Sequence, residues 1–300
     1  MRYLLLAASL FLSLNTFSQK VVLATYQYAN NNRLENIRPL SKYLFDSVGL
    51  EVEIKSYPSV HQFIHGIQND EVDIALINTF GYLLLESAKR KYTMKPVVVL
   101  KVQEGAADNY KTAVLVKKGF PIDSITNLKE VAHNYTLGLV NPGSTSGNLL
   151  PRLKMAAIGI ASPENSFKSV EYCQNHKNAV EMLLQGRIDI CAVGSTEYFN
   201  LLADTGRANL VKLLWLSSEI PLGPVLLHNR LSKATQQKIV THLLKLDRTS
   251  PTTLEAIKSG WSEAKQAYKY IEMDMDYYTP FKNQFGDKKI SENILKKFSN

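Results

Sequence analysis

Glu71-Val72-Asp73-Ile74-Ala75-Leu76-Ile77-Asn78-Thr79-Phe80-Gly81-Tyr82 can be laid over Arg187-Ile188-Asp189-Ile190-Cys191-Ala192-Val193-Gly194-Ser195-Thr196-Glu197-Tyr198, at a constant offset of 187 − 71 = 116 residues. Each copy has an aspartate before a short apolar run, then a hydroxyl residue where a helix would begin. A continuous apolar run of that length reads as a buried strand. Each copy is preceded by a helical stripe and followed by a helical pattern. Two equivalent helix–strand–helix units predict two similar α/β lobes. Ligands of such sheets bind beyond the carboxyl ends of the strands, so Thr79 and Ser195 are expected to face a shared cleft.

The same alternation runs outward in both directions. Strands are expected over 21–26, 51–55, 73–77, 97–102, 112–117, 136–140, 168–172, 189–193, 210–216 and 225–228. Helical patterns fall over 34–45 and 239–246, and Val60, Phe63, Ile64 and Ile67 form an i, i+3, i+4, i+7 stripe. This predicts an α/β fold with largely parallel strands. The tail after Ser232 reads as mostly helical, and its tyrosines Tyr268, Tyr270, Tyr277 and Tyr278 as helix packing.

Composition agrees. The chain has 300 residues, 45% hydrophobic and 21% charged, which excludes a disordered or fibrous protein. A single core is near its size limit at this length. Residues 1–18 read as a signal peptide. Arg2 supplies the positive start and Leu4 to Leu14 an apolar run of 11 residues, too short to span a bilayer. Thr16 and Ser18 precede a plausible cut before Gln19. No cysteine follows that cut closely enough for lipid attachment, since the first is Cys173, so the mature chain is expected to be exported, soluble and free of lipid. The formal charge of +8 becomes 8 − 1 = +7 without Arg2. That suits an anionic partner, but no basic run is interleaved with aromatics, and nucleic acid is not expected.

The sharpest local signal is Asn141-Pro142-Gly143-Ser144-Thr145-Ser146-Gly147, between the strand at 136–140 and a helical stretch at 148–158. Pro142 and Gly143 make a tight turn, and Ser144 or Thr145 can cap the helix. The free amides of a first helical turn favour negative charge. Three hydroxyls beside them exceed what capping needs, and glycines let a ligand approach the backbone. No lysine completes a Walker loop, and Thr145 stands where a hydrolase elbow needs serine.

These segments resemble the periplasmic phosphate/phosphite/phosphonate-binding components of ABC importers, the phosphonate-binding protein family. The resemblance covers nearly the whole mature chain. It is carried by Val72 to Ala75, Asn141 to Gly147 with Leu149-Leu150-Pro151, His176 with Ala179-Val180, Asp189, Ile220-Pro221 with Pro224-Val225, and Gly260-Trp261. It implies a type II periplasmic binding protein: two α/β lobes, two hinge crossings and a ligand cleft between them. Lobe 1 would be 20–111 plus 222–300 and lobe 2 would be 112–221, with crossings near Tyr110 to Thr112 and Ser217 to Gly223. It implies ligand contacts from Tyr57, Tyr110, Ser144, Thr145, Ser146 and His176, all donors, as an oxyanion requires. Relatives that bind aminoalkyl phosphonates place carboxylates at positions matching Thr196 and Gly223. Neither is acidic here, although Glu197 and Glu219 are near, so a compact phosphorus oxyanion is expected. No reaction, cofactor or metal is expected. The protein would be a periplasmic monomer that delivers its ligand to an ABC transporter permease in the membrane.

Two alternatives keep the fold: a ligand-sensing partner of a sensor kinase, and a ferric-ion and anion binder using Tyr57, Tyr110 and His176. A hydrolase acting on phosphoesters lacks an activated nucleophile here. His61 and His65, spaced i, i+4, read as a solvated helix edge. Asp73 and Asp189 read as structural caps. Cys173 and Cys191 stand on strands, where a disulfide and two buried thiols are both open.

Overall fold

A computed structural model of the protein describes residues 20–28, 31, 33–105, 109–274, 276–284 and 288–298. The expected leader lies outside the described residues. Among the described residues eleven strands form two sheets. The first holds β1 (Val21–Tyr26), β2 (Val52–Tyr57), β3 (Ile74–Leu76), β4 (Met94–Val102), β10 (Pro224–His228) and β11 (Ala267–Glu272), in the order β11-β4-β10-β3-β1-β2. The second holds β5 (Thr112–Lys117), β6 (Thr136–Leu139), β7 (Ser169–Tyr172), β8 (Ile190–Gly194) and β9 (Val211–Leu216), in the order β7-β6-β8-β5-β9.

The strands are not largely parallel. Each sheet has three parallel strands, β2-β1-β3 and β7-β6-β8, and antiparallel ones beyond them. The cause is the path between sheets. The chain leaves the first sheet after β4 and returns into it as β10, antiparallel to β3; β5 likewise enters antiparallel to β8. Outgoing and returning segments run side by side: Ser217 N donates to Thr112 O at 2.9 Å and Ile220 N to Tyr110 O at 2.8 Å.

The 116-residue equivalence extends to hydrogen bonds. Asp73 Oδ2 accepts from Val22 N of β1 at 2.9 Å, and Asp189 Oδ2 from Thr136 N of β6 at 2.8 Å. Each aspartate thus caps the amino end of the neighbouring parallel strand, where an orphan amide needs an acceptor. Helix α3 (Thr79–Ser87) begins on Thr79 and the helix Ser195–Ala203 on Ser195. Their hydroxyls do not open into a cleft. Thr79 Oγ1 donates to Pro221 O of the returning segment, while Ser195 Oγ accepts from Lys111 N at 3.0 Å and donates to Asn109 O of the outgoing one. Both are spent on the crossings.

Helix α1 (Arg33–Val48) buries Ile37, Leu40 and Leu44 against the first sheet, and α2 (Val60–Gln68) buries Val60, Phe63, Ile64 and Ile67, the stripe read from sequence. Each such burial contributes ~1.5–3 kcal/mol. Ser59 caps α2 by accepting from Gln62 N. His65 is exposed, but half-buried His61 packs its ring edge against Phe80 at 5.6 Å. The tail corrects the sequence reading once, at β11. Tyr268 and Tyr270 lie on β11, an edge strand antiparallel to β4. Tyr278 is buried against Tyr82, and its hydroxyl donates to Leu222 O. The helix Lys288–Lys297 then packs against both α3 and the helix Leu150–Ala157. Cys173 and Cys191 are free and buried. Among the described residues no helix is long and apolar enough to cross a membrane.

Candidate functional site

The segment after β6 folds as an Asx turn running into a wide π-type turn, Thr145–Leu149. Asn141 Oδ1 accepts from Gly143 N at 3.0 Å, and Ser144, extended at φ −83° and ψ 128°, caps the turn by accepting from Gly147 N at 3.0 Å. The glycines leave no room for a side chain. A Cβ on Gly143 would fall 2.4 Å from Val60 Cγ1, and one on Gly147 2.3 Å from Val140 Cγ2. The three hydroxyls have separate fates. Ser144 caps. Thr145 Oγ1 accepts from Phe80 N at 3.0 Å, across from the second sheet to the first helix turn of α3. Ser146 is fully buried, and its Oγ has no hydrogen-bond partner.

Tyr110 and His176 converge on Ser146. Tyr110 Oη accepts from Ser146 N at 3.2 Å. Burial holds its phenol well above the ordinary tyrosine range, so the hydroxyl keeps its proton to donate. His176 opens the helix His176–Gln185, capped by Asn175, and its Nδ1 accepts from Gly194 N at 2.9 Å. That bond assigns the ring proton to Nε2, a donor. Burial pushes the imidazole pKa down to about 4, so the ring is neutral near pH 7. All three groups border Gly194. A Cβ there would lie 3.3 Å from Ser146 Oγ, 3.6 Å from His176 Cε1 and 3.7 Å from Tyr110 Cε2.

Tyr57 is not brought to this cluster. Its hydroxyl donates to Glu71 at 2.8 Å, and Lys55, which also binds Glu71 at 2.7 Å, lies 4.4 Å over its ring. Gly66 gives the phenol its room on the side of α2, where a Cβ would sit 2.3 Å from Oη. A shared ferric ion would need Tyr57 beside Tyr110 and His176, and this arrangement does not supply it.

Two residues that the sequence reading passed over stand in its place. Tyr28, just past the carboxyl end of β1, tilts its ring beside His176 at 6.3 Å. Burial raises its phenol pKa above the ordinary tyrosine range, and its hydroxyl has no hydrogen-bond partner. Arg33, the first residue of α1, is 2% exposed. Its guanidinium carbon stands 4.6 Å from the ring of Tyr26, 5.0 Å from Tyr28 and 4.6 Å from Trp261. Its Nε donates to Gly260 O at 2.7 Å. A tyrosine pair at the end of a first strand was the available signal for Tyr28. Arg33 gave none, because its box closes only when Trp261, 261 − 33 = 228 residues away, folds onto it.

The positions that would carry carboxylates also have a structural account. A Cβ at Gly223 would fall 1.8 Å from Ile77 O, so no side chain fits without moving backbone. Glu219 is exposed and accepts from Asn109 Nδ2 at 3.0 Å. Glu197 lines a groove with Lys177, Glu181 and Arg207. Burial raises the pKa of Tyr26, Tyr28 and Tyr110, and the carboxylate that adds to each rise is instead Glu263.

Comparison with known proteins bears on this site. Residues 24–278 match a family described as ABC transporter, phosphonate, periplasmic substrate-binding protein. The chain is 24% identical over 234 residues to the phosphonates-binding periplasmic protein of Escherichia coli K12, covering 76% of this chain and 67% of that one. Among solved structures it superposes on a binding protein component of a Pseudomonas aeruginosa ABC phosphonate transporter with TM-score 0.66 and 22% identity, covering 93% and 94% of the two chains. PhnD1 of Prochlorococcus marinus, solved with methylphosphonate, gives TM-score 0.65 at 17% identity over 92% and 99%. At such identities the structural likeness establishes a shared architecture, the type II periplasmic binding fold.

Proposed function

From the premise that this chain belongs to the family of periplasmic substrate-binding proteins of phosphonate ABC transporters, we propose that it captures a small phosphorus oxyanion between its two sheets. The ligand class is a phosphonate, with phosphite and phosphate as its nearest chemical kin. The observation that carries this is the convergence of Ser146, Tyr110 and His176 around Gly194. Ser146 Oγ is fully buried without a partner, and a buried hydroxyl in that state is costly unless something else binds it. The groups around it offer protons: the Tyr110 hydroxyl, the His176 Nε2–H and the amides of the turn. An oxyanion offers only acceptors.

In this reading residues 20–111 with 222–300 form one lobe and residues 112–221 the other, hinged at the paired crossings. Residues 1–18 direct export and are removed. The ligand-bound form is handed to a membrane permease, and no covalent step occurs. Ser144 and Thr145 shape the turn, and Tyr57 packs against α2 at Phe63 and Gly66.

The test is calorimetry with methylphosphonate, phosphite and inorganic phosphate, on the protein and on Ser146→Ala. The expected result is binding of at least one anion, weakened by ~1.5–3 kcal/mol in the variant, the range for a hydrogen bond to a charged group. Binding of none of the three, or binding untouched by Ser146→Ala, refutes the assignment.

A further inference from the structure

Arg33 is a buried cation without a counter-charge in contact. It is 2% exposed, and among the described residues no carboxylate lies within 4.0 Å of it. A guanidinium cannot shed its proton to escape burial. The rings of Tyr26, Tyr28 and Trp261 stabilise it in part, and Gly260 O takes Nε. Asn31 holds the same backbone from the other side, donating to Ser259 O at 3.1 Å and Gly260 O at 3.3 Å. Yet Arg33 Nη1, Tyr26 Oη and Tyr28 Oη are all buried without a hydrogen-bond partner. Unpaired polar groups, one of them charged, are therefore gathered where Tyr26, Tyr28 and Trp261 enclose Arg33. His176 stands beside Tyr28 at 6.3 Å, and the unpaired Ser146 Oγ borders Gly194 with it.

We propose that Arg33 is the charged anchor of the ligand: its Nη1, with the hydroxyls of Tyr26 and Tyr28, takes the oxyanion oxygens turned toward the first sheet, while Ser146, Tyr110 and His176 take those turned toward the second. The inference rests on the proposed anion site and adds the residue that supplies its positive charge. Every other donor there is neutral, so the anion's charge is met by Arg33 alone. The aromatic walls hold the guanidinium in one orientation, which reduces the ordering cost of binding. They also exclude water, which strengthens the pair once formed.

The test uses Arg33→Gln and Arg33→Lys beside Ser146→Ala, with methylphosphonate, phosphite and inorganic phosphate as probes in calorimetry. Arg33→Gln should lose roughly 10- to 150-fold in affinity, the span of one charge-assisted hydrogen bond. Arg33→Lys keeps the charge but not the fork and should recover part of that loss, which a purely structural arginine would not do. Should Arg33→Gln fail to fold, nuclear magnetic resonance of the wild-type guanidinium decides: the Nη1 proton signal must shift when methylphosphonate is added. Binding weakened by Ser146→Ala but unchanged in Arg33→Gln, or an Nη1 signal indifferent to bound ligand, overturns the anchor and leaves the proposed function standing. Wild-type protein that binds none of the probes overturns both.

Discussion

His176 shows how a single hydrogen bond sets the chemistry of a residue. Its Nδ1 accepts from Gly194 N, so the ring serves a ligand only as an Nε2–H donor and only while neutral. Burial lowers its pKa to about 4, against about 6.5 for a free histidine. The folded state therefore resists a proton that the unfolded chain accepts. Above pH 6.5 both are neutral and the shift has no effect on stability. As pH falls from 6.5 to about 4, the unfolded state gains the proton first, and up to ~3 kcal/mol of stability is lost. His176→Asn offers an oxygen to Gly194 N but does not titrate. Denaturant melts from pH 7 to pH 4 should show a flatter profile in the variant, and an identical slope would mean the imidazole is not shielded. The sequence made His176 visible through its neighbours, as it did Tyr110 and the serine run. It misplaced Tyr57, because a tyrosine at a strand end can turn to either side, and only the space over Gly66 and the pull of Glu71 and Lys55 decide which.

Among the elements, the two halves of the 116-residue equivalence carry the same engineering. Asp73 and Asp189 each tie the start of one parallel strand to the end of a loop, at the edge opposite the donors, since those stand beyond the strands' carboxyl ends. Asp73 also binds Arg230 Nε at 2.6 Å, so its removal strands two partners. Asp189→Ala should cost ~1.5–3 kcal/mol of unfolding free energy, and Asp73→Ala more. Ligand affinity should hold in both, read by calorimetry beside the melts. A loss of binding without a loss of stability would recast them as functional carboxylates. This pairing was legible because an aspartate ahead of a fully apolar run has few other uses. β11 was not. Ala267 to Glu272 mixes lysine, tyrosine and glutamate, as an exposed edge strand often does, and in sequence that mixture resembles a solvated helix. Its assignment comes from pairing with β4, a partner far away along the chain.

For the whole molecule, the sheets meet through few bonds. Asn78 Nδ2 donates to Gly143 O at 3.0 Å, Phe80 N to Thr145 Oγ1 at 3.0 Å, and Ser146 N to Tyr110 Oη at 3.2 Å. The helix Lys288–Lys297 adds a brace: Phe298, just past its end, packs edge-on to Phe80 at 5.5 Å, and the Arg152 guanidinium lies 5.8 Å from the Phe298 ring. A cleft that opens must break these contacts, and a ligand bonded to both sides shifts the balance only by its different affinity for the two forms. Asn78 allows a clean test, since its two side-chain atoms have separate tasks. Oδ1 caps α3 by accepting from Gly81 N at 2.9 Å, while Nδ2 alone crosses to Gly143. Asn78→Asp keeps the cap and suits the helix dipole, but it turns an oxygen toward the Gly143 carbonyl and buries a charge in the closed form. The open form relieves both. Small-angle scattering of the unliganded variant should give a radius of gyration above that of the wild type, itself near the ~19 Å of a compact chain of this length. Saturating methylphosphonate should bring the two together, because donors on both sheets would again be bonded to one anion. Equal radii without ligand, in a variant that melts like the wild type, would show that the Asn78 contact does not hold the sheets together.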